Sequence, residues 1–321
     1  MPDDISNQMG REITIDDILK AIKKTTLGKS PGKDGIPTYF YEKFAMNNDK
    51  MLLKFFKKVI DESHEKEILP RSMREIQIRL LYKKTTEIDK KHMKFYRPIS
   101  LLNNDYKILS KVLCLRLAPN IHHVLDGTQT GVPGQTISDP IHTTQSIIND
   151  ANKYKKELAI VFLDFAKAFD SVDHEFTFMI MEKMNIHPEY IKWAKLGFTQ
   201  TYAQCIVNGK LTKAFHLPGG GRQGDCLYPL LFALVMHALK LSVDNPTDDG
   251  SKIQGYKLPH TTERVRIKQY VDDSSIYITS IDPKKDLYLA YTAVNNFCAA
   301  SGMEVNWDKT DGIWLGNWAC N

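Results

Sequence analysis

Two adjacent aspartates interrupt a β-forming segment, Lys268-Gln269-Tyr270-Val271-Asp272-Asp273-Ser274-Ser275-Ile276-Tyr277-Ile278. Neighbouring carboxylates repel each other, and the flanking β-formers favour a half-buried surface on which charge is costly. A hairpin turn at Val271–Ser274 reduces that cost, because turns favour Asp and face water. Divalent cations reduce it further, since Mg²⁺ prefers hard oxygen ligands. An exposed turn also explains an isolated Asp-Asp pair, so a metal site requires a second acidic position.

Such a position follows an apolar segment earlier in the chain. Asp164 comes directly after Leu158-Ala159-Ile160-Val161-Phe162-Leu163, an almost unbroken apolar run of the kind expected in a strand covered on both faces. Carboxylates from two strands that clamp two Mg²⁺ ions roughly 4 Å apart form the apparatus for in-line phosphoryl or nucleotidyl transfer. Asp164 therefore favours such a site without deciding the question.

Helical and strand patterns are mixed along the rest of the chain. Thr14 is placed to cap a first helix, and Asp16 and Asp17 suit the dipole at its N-terminus. The sequence Ser-Pro-Gly-Lys-Asp-Gly-Ile-Pro predicts an ordered turn at 30–37. Further helices are predicted at about 50–62, 104–124, 173–184 and 188–198, and strands at 75–82, 158–163, 202–207 and 264–279. The mixture predicts an α+β fold, or an α/β fold with an antiparallel element.

Composition is that of an ordinary globular protein. The chain has 321 residues, of which 42% are hydrophobic and 25% charged, with a net charge of +5. Lys and Arg crowd the first third, which is typical of proteins that bind phosphate backbones, although solvated helix faces explain many of them. The five cysteines form no CxxC or Cys/His cluster, so a reducing, intracellular setting is predicted rather than disulfides or structural zinc.

Several other classes of site are excluded by spacing. Gly28-Lys29-Ser30 lacks the glycine that a P-loop requires five positions earlier, where Lys23 stands. The polar N-terminus has no secretory h-region. The longest apolar stretch, Leu227 to Leu241, is interrupted by polar residues and is shorter than the roughly 20 residues of a membrane span. No membrane role is predicted.

Six motifs occur in an order that is typical of one protein family. They are Arg97-Pro98-Ile99-Ser100-Leu101-Leu102-Asn103; Gly127-Thr128-Gln129-Thr130-Gly131 with Ile137-Ser138-Asp139; Phe162-Leu163-Asp164-Phe165-Ala166-Lys167-Ala168-Phe169-Asp170-Ser171-Val172; Gly221-Arg222-Gln223-Gly224-Asp225 with Pro229-Leu230-Leu231-Phe232; Tyr270-Val271-Asp272-Asp273; and Ser301-Gly302-Met303-Glu304-Val305-Asn306 with Lys309-Thr310. Together they resemble the reverse transcriptases of non-long-terminal-repeat retrotransposons of the long interspersed element type. Any one motif is weak, whereas six in this order make chance negligible. The resemblance covers about Ile13 to Gly316.

The resemblance implies a role for each residue of the carboxylate motifs. Asp164 and Asp272 are the implied direct metal ligands, and Asp273 is a closing carboxylate. The backbone carbonyl of Phe165 is implied as a further metal ligand, and Mg²⁺ or Mn²⁺ as the cofactor.

Two further residues are implied to contact the nucleotide near these carboxylates. Phe169 stands where the family has an aromatic ring that stacks beneath the sugar and excludes a 2′-OH, which implies dNTP use; the alternative is a core phenylalanine beside a helix start. Lys309 is implied to protonate the pyrophosphate leaving group, with plain surface solvation as the alternative.

The remaining nucleotide-binding residues are implied by the other motifs. Arg97 resembles the arginine that grips the incoming triphosphate with bidentate contacts. Lys83 is its implied lysine partner, although Lys84 is equally available. Gln223 is expected to touch the base or sugar, and Gly224 to let the backbone approach the nucleotide. These two residues are also expected to begin a helix that continues to residue 239.

The implied architecture is a right-hand polymerase. Residues 1–74 are an N-terminal fingers extension and residues 75–316 the reverse transcriptase domain, with fingers to about 157 and palm over 158–316. The palm is expected to be an antiparallel sheet backed by helices. Because the chain stops soon after Gly316, the thumb is expected to be absent, and primer–template binding to be weak.

The implied activity is RNA-directed DNA polymerisation, with an RNA template, a DNA primer and dNTPs as partners. An RNA-dependent RNA polymerase is an alternative that Phe169 disfavours. An inactive or domesticated fragment that binds nucleic acid is another, because a thumb is expected to be absent. Two departures from the family pattern stand near the Gly221–Asp225 motif. Tyr228 replaces a small residue and is expected to crowd the nucleotide-binding helix, and Pro218-Gly219-Gly220-Gly221 is expected to loosen the loop before it.

Overall fold

The structure, a computed structural model, describes residues 1–46, 50–83, 92–127, 129, 132–247, 250–259, 261–279 and 282–320. Lys84 and three residues of the 127–131 motif, Thr128, Thr130 and Gly131, lie outside the described residues. The α-helices are α1 (Asp3–Gly10), α2 (Ile15–Lys24), α3 (Thr38–Ala45), α4 (Met51–Glu65), α5 (Arg71–Arg74), α6 (Asn104–Leu117), α7 (Ser138–Lys153), α8 (Ala168–Ser171), α9 (His174–Lys183), α10 (Pro188–Leu196), α11 (Tyr228–Asp244) and α12 (Pro283–Ser301). The strands are β1 (Glu75–Tyr82), β2 (Tyr96–Leu102), β3 (Leu158–Leu163), β4 (Tyr202–Val207), β5 (Lys210–Leu211), β6 (Phe215–His216), β7 (Tyr256–Lys257), β8 (Arg264–Val265), β9 (Ile267–Tyr270), β10 (Asp273–Ile278) and β11 (Asp311–Leu315).

The elements form two compact units, each built from two separate segments of the chain. Unit 1 comprises Met1–Asn120 and Met181–Tyr228, and unit 2 comprises Ile121–Ile180 and Pro229–Asn321. Each unit has its own sheet. The predicted α+β class is therefore confirmed. In the part of the chain that the structure describes, no helix is both long and apolar enough to cross a bilayer.

Unit 1 contains a mixed sheet with the strand order β2-β1-β4-β5, and β6 pairs with β4. β1 is antiparallel to β2 and parallel to β4. The strand predicted at 75–82 is confirmed, and its side chains alternate, because Ile76 and Ile78 are buried while Arg79 is exposed. The predicted bounds of β4 are confirmed as well.

The first helices of unit 1 are fixed to α6 by one buried arginine. Thr14 and Asp17 form the capping box of α2, which confirms the predicted cap. Arg116 in α6 donates to the backbone oxygens of Met9, Arg11 and Glu12 at 3.0, 2.5 and 2.9 Å. Its Nη2 also donates to Asp17 Oδ2 at 2.9 Å. A single side chain thus binds the backbone of the segment between α1 and α2.

The predicted turn at 30–37 is ordered, because two asparagines at the start of α6 hold it. Asn103 Oδ1 accepts from Asp34 N at 3.2 Å. Asn104 Nδ2 donates to Ile36 O at 2.6 Å. Gly32 lies so close to Asn103 that a side chain at this position would overlap the asparagine amide. The turn therefore depends on two residues about 70 positions later in the chain.

Unit 2 contains an antiparallel sheet with the strand order β11-β3-β10-β9. Ile147 and Ala151 of α7 pack in a buried cluster with Leu158 and Ile160 of β3 and Tyr277 of β10, so a helix covers one face. The strand predicted at 158–163 is confirmed. The prediction that both of its faces are covered is wrong at Phe162, which is 36% exposed.

Candidate active site

The two adjacent aspartates lie at the hairpin that joins β9 to β10. Tyr270 pairs with Asp273, so the loop consists of Val271 and Asp272 alone. The predicted hairpin is confirmed, but its turn lies one residue earlier than the predicted Val271–Ser274, because Asp273 and Ser274 already belong to β10. Val271 has φ 58°, a left-handed conformation in which a β-branched residue is strained. The loop therefore depends on contacts from outside the hairpin.

Strand register brings the third aspartate to this hairpin. β3 and β10 are antiparallel, and Leu163, the last residue of β3, lies opposite Ser274. The next position on each strand is Asp164 and Asp273, so the two acidic residues adjoin across the ladder. The predicted juxtaposition of Asp164 with the Asp272-Asp273 hairpin is therefore present within unit 2.

The carboxylates act on one another electrostatically. Burial raises the pKa of the Asp272 carboxyl, and the negative charges of Asp273 and Asp164 raise it further. A cation lies close by, because Lys309 Nζ is 3.7 Å from Asp164 Oδ2. The lysine side chain is 69% exposed, so this ion pair is weak and leaves the ammonium accessible.

The segment that follows α12 supports the Asp164-Phe165 backbone. Asn306 N donates to Asp164 O at 2.8 Å, and Ala166 N donates to Glu304 O at 2.8 Å. These bonds flank Phe165, which forms an isolated antiparallel bridge with Val305. In that arrangement the carbonyl of Phe165 points away from the supporting segment. This orientation is compatible with the predicted metal contact.

The donor set fits a hard divalent cation. Among the residues that the structure describes, no three His, Cys, Asp or Glu side chains converge into a ready-made metal site. Asp164, Asp272 and Asp273 nevertheless supply carboxylate oxygens at one end of two neighbouring strands, where their charges already interact. Oxygen ligands of this kind suit Mg²⁺ and Mn²⁺.

Phe169 lies on α8, shortly after this cluster. Its ring stacks on Phe232 of α11, with centroids 4.3 Å apart and planes 15° from parallel. The side chain is half-buried. One face of the ring therefore packs against the protein, while part of the residue stays accessible to a ligand.

Unit 1 holds Arg97 and Lys83 on neighbouring strands. Arg97 is exposed on β2 and lies opposite Leu81 of β1. Lys83 N donates to Phe95 O at 2.8 Å, which continues the ladder by one bond beyond Tyr82. Residues two apart on a strand share a face, so Lys83 and Arg97 present their charges on the same face.

The Gly221–Asp225 motif forms a loop that packs against β2. The predicted helix start at Gln223 is wrong, because α11 begins at Tyr228. Ser100 N donates to Gln223 O at 3.1 Å. Gly224 has φ 115°, and a Cβ there would lie 3.3 Å from Ser100 O. Gly224 is therefore needed for a close backbone approach, made here to β2.

Two charged residues of this motif are buried anchors that sequence reasoning missed. Arg222 is 5% exposed, donates to Met73 O at 2.9 Å and stacks on the ring of Tyr106 at 3.8 Å. Asp225 is 6% exposed and accepts from the hydroxyls of Tyr106 and Ser110. In the sequence, Arg222 and Asp225 are visible as opposite charges on either side of Gln223-Gly224. This pattern does not reveal their partners, which are distant in the chain.

Tyr228 is accommodated by one of the unusual glycines. Its ring is buried, and a Cβ at Gly221 would overlap that ring. The two departures from the family pattern therefore compensate for each other, since the missing side chain at Gly221 makes the space that Tyr228 fills.

Gly221→Ala is expected to lower the free energy of unfolding by about 1–3 kcal/mol, because the added methyl group overpacks the site. Chemical denaturation measures the change. Gly127→Ala is the matched control, because nothing lies within 4 Å of a Cβ there. In a Tyr228→Ser background the Gly221→Ala change is expected to cost less. Equal costs in both backgrounds would contradict the pairing.

Comparison with known families gives a match over most of the chain. Residues 88–316 match the family described as reverse transcriptase (RNA-dependent DNA polymerase). The matched range contains the three aspartates as well as Arg97, Phe169, Gln223 and Lys309.

Several proteins of mobile elements are similar to the chain. A Xenopus laevis protein, the transposon TX1 uncharacterized 149 kDa protein, is 30% identical over 310 residues, which are 95% of this chain and 22% of the relative. The retrovirus-related Pol polyprotein of the type-1 element R2 from Popillia japonica is 26% identical, over 68% of this chain and 29% of the relative. The retrovirus-related Pol polyprotein of the type-2 element R2DM from Drosophila melanogaster is 23% identical, over 89% of this chain and 25% of the relative. The chain thus spans less than a third of the length of these relatives.

Proposed function

The chain belongs to the reverse transcriptase (RNA-dependent DNA polymerase) family, and we propose that it is an RNA-directed DNA polymerase that adds dNTPs to the 3′-OH of a DNA primer on an RNA template. The observation that carries the proposal is the register in which Leu163 lies opposite Ser274, because it brings Asp164 beside Asp272 and Asp273. Carboxylates from two neighbouring strands are what nucleotidyl transfer with two metal ions requires.

The proposed cofactor is Mg²⁺ or Mn²⁺, held by Asp164 and Asp272, with Asp273 and the carbonyl oxygen of Phe165 as further ligands. Bound ions supply activation of the primer hydroxyl and neutralisation of the leaving pyrophosphate. The chain itself holds the carboxylates at a fixed spacing through the β3–β10 ladder. The exposed ammonium of Lys309, close to Asp164, suits a proton donor for the pyrophosphate.

Further residues are proposed to contact the incoming nucleotide. Arg97 and Lys83, on one face of the β1–β2 ladder, suit the triphosphate, since a guanidinium and an ammonium bind phosphate oxygens strongly. Gln223 and Gly224 belong to the loop that packs on β2, and we assign them to the base or sugar. Phe169 is proposed as the residue that excludes a 2′-OH.

The proposed organisation is that of a right hand, with fingers to about residue 157, extended N-terminally by residues 1–74, and a palm over 158–316. Its support within the palm is the antiparallel sheet β11-β3-β10-β9, packed against α7 and carrying the three aspartates at one end.

The experiment that tests this function is primer extension by the purified chain on poly(rA) with an oligo(dT) primer, dTTP and Mn²⁺. Extension is expected to depend on the divalent ion and to fall sharply when UTP replaces dTTP. The variant Asp272→Asn, Asp273→Asn, purified identically, excludes a contaminating polymerase. A folded chain that binds primer–template and never extends it would instead be a nucleic-acid-binding fragment, and the proposal would be rejected.

Phe169→Val is expected to raise the use of UTP relative to dTTP by at least about tenfold, because a smaller side chain leaves room for the 2′-OH. The ratio of kcat/KM for the two nucleotides measures the effect. Phe162→Val is the control, since Phe162 belongs to the same motif and is a partly exposed aromatic residue of β3. An unchanged ratio in a folded Phe169 variant would assign the ring to the core alone.

A further inference from the structure

Gln129 makes an unusual contact with the hairpin that carries the aspartates. Its side chain is completely buried. Its Nε2 donates to Val271 O at 2.9 Å, and its Oε1 accepts from Val271 N at 2.9 Å. One planar amide thereby satisfies both backbone groups of a single residue, as a neighbouring strand would do. Gln129 also forms a parallel bridge with Gln269 of β9, next to the same loop.

The residue that is held is the strained one. Val271 has φ 58°, which an L-residue with a branched Cβ rarely adopts. A strained backbone persists only where its surroundings over-determine it. The ladder between β9 and β10 fixes Tyr270 and Asp273, whereas Val271 and Asp272 lie in the loop between them. The two hydrogen bonds with Gln129 hold the backbone of Val271, which the ladder between β9 and β10 does not pair.

We propose that Gln129 is a positioning residue for catalysis: by clamping the Val271 backbone in its left-handed conformation, it sets the direction in which the Asp272 carboxylate points. This inference rests on the proposed polymerase function. Asp272 follows Val271 directly, so rotation about the Val271 backbone swings the carboxylate away from Asp164. Gln269 strengthens the base of the loop, because its Nε2 donates to Met236 O at 3.1 Å.

The clamp needs an amide at this position. Alanine at residue 129 removes both hydrogen bonds and leaves the N–H and C=O of Val271 without their partner. Glycine at residue 271 removes the need for the clamp, because glycine adopts a positive φ without steric cost. Alanine at residue 271 keeps most of the strain, since its Cβ remains. The pair Val271→Gly and Val271→Ala therefore separates relief of strain from mere loss of side-chain volume.

The first measurement is steady-state primer extension, with kcat and the KM for dTTP determined separately. Gln129→Ala is expected to lower kcat by at least about tenfold with little change in KM, because a displaced carboxylate affects the chemical step. Val271→Gly in the Gln129→Ala background is expected to recover most of kcat, and Val271→Ala much less. Gln145→Ala, an exposed glutamine of α7, is expected to leave kcat unchanged.

The second measurement needs neither metal ion nor nucleotide. Hydrogen exchange of the peptide that covers 267–278 is expected to show faster exchange of the residue 271 amide in Gln129→Ala, because its acceptor is gone. Ile147→Val, a core change in the same unit, controls for general destabilisation and should not alter kcat in the same way.

The outcomes distinguish this inference from the proposed function. If the wild-type chain shows no primer extension, the proposed function is rejected. The hydrogen-exchange measurement then decides whether Gln129 holds the Val271 backbone. Extension by wild type and Gln129→Ala at equal kcat overturns the positioning role. Loss of kcat that Val271→Gly fails to restore also overturns it, because a glycine would no longer require the clamp.

Discussion

The double variant Asp272→Asn, Asp273→Asn is expected to lose primer extension by at least about a thousandfold, equivalent to about 4 kcal/mol of transition-state stabilisation. Asparagine keeps the size of each side chain and removes the charge that would hold a divalent cation. Primer extension with dTTP on poly(rA), followed at increasing Mn²⁺ concentrations, measures the loss. Activity that returns at high Mn²⁺ would indicate weakened ion binding rather than an abolished chemical step.

The same variant is expected to be at least as stable as the wild-type chain when no divalent cation is present. Burial raises the pKa of Asp272, and the charges of Asp273 and Asp164 add to this increase. A raised carboxyl pKa means that the folded state binds the proton more tightly than the unfolded state. The folded state therefore loses stability as the pH rises from the unfolded-state pKa of Asp272 to its higher folded-state pKa. At pH 7 the wild-type chain is destabilised by the buried charge of this carboxylate.

A matched control removes two exposed charges from the same unit. Asp308 and Asp311 are both exposed, and their replacement by Asn changes the net charge by the same amount. This control is expected to retain extension. Urea unfolding in EDTA compares the stabilities of all three proteins. A double variant at residues 272 and 273 that is clearly less stable than wild type would mean that these carboxylates are structural, and its loss of activity would then not support a metal site.

Arg116→Met is expected to lower the free energy of unfolding of unit 1 by about 3 kcal/mol, because it removes the buried ion-pair partner of Asp17, which keeps the more exposed Arg11. The backbone oxygens of Met9, Arg11 and Glu12 lose their donor at the same time. Arg79→Met, at an exposed position of β1, is the control and is expected to change stability little. Equal effects of the two substitutions in urea unfolding would contradict the anchoring role.

The partner of Arg116 gives this prediction a pH signature. Burial raises the pKa of the Asp17 carboxyl, but hydrogen bonds from Arg11, Thr14 N and Arg116 outweigh it and hold that pKa well below its usual range. A depressed pKa contributes stability that is present above the unfolded pKa of about 3.9 and is lost as the pH falls below it. The difference between wild type and Arg116→Met should therefore be largest near neutral pH and shrink in acid.

Strands were predicted well where a local pattern decides the structure. β1, β3 and β4 have the bounds that their apolar residues indicate. The hairpin at Val271 followed in the same way, from two aspartates between β-formers. By contrast, Gln223 was wrongly placed in a helix, because Arg222 and Asp225 bind distant groups and hold the preceding loop in another conformation.

Among the residues of the candidate site, the three aspartates are the ones that their local sequence singles out. Asp164, Asp272 and Asp273 stand where a carboxylate is costly, which makes them visible in a sequence. Gln129 and Arg116 are different, because most of their partners are backbone groups that carry no side-chain signature. A glutamine that binds one valine backbone 142 residues away can be found only from the folded structure.

The division of each compact unit into two chain segments limits the order in which the protein folds during synthesis. The chain passes from one unit to the other after residues 120, 180 and 228. Unit 1 cannot close before Met181–Tyr228 leaves the ribosome, by which time the first part of unit 2 is already exposed. β3 cannot pair with β10 and β11 until these strands have been synthesised, more than 100 residues later. Contacts so distant in sequence fold slowly, and a truncation at residue 120 or 157 yields no fragment that contains a whole unit.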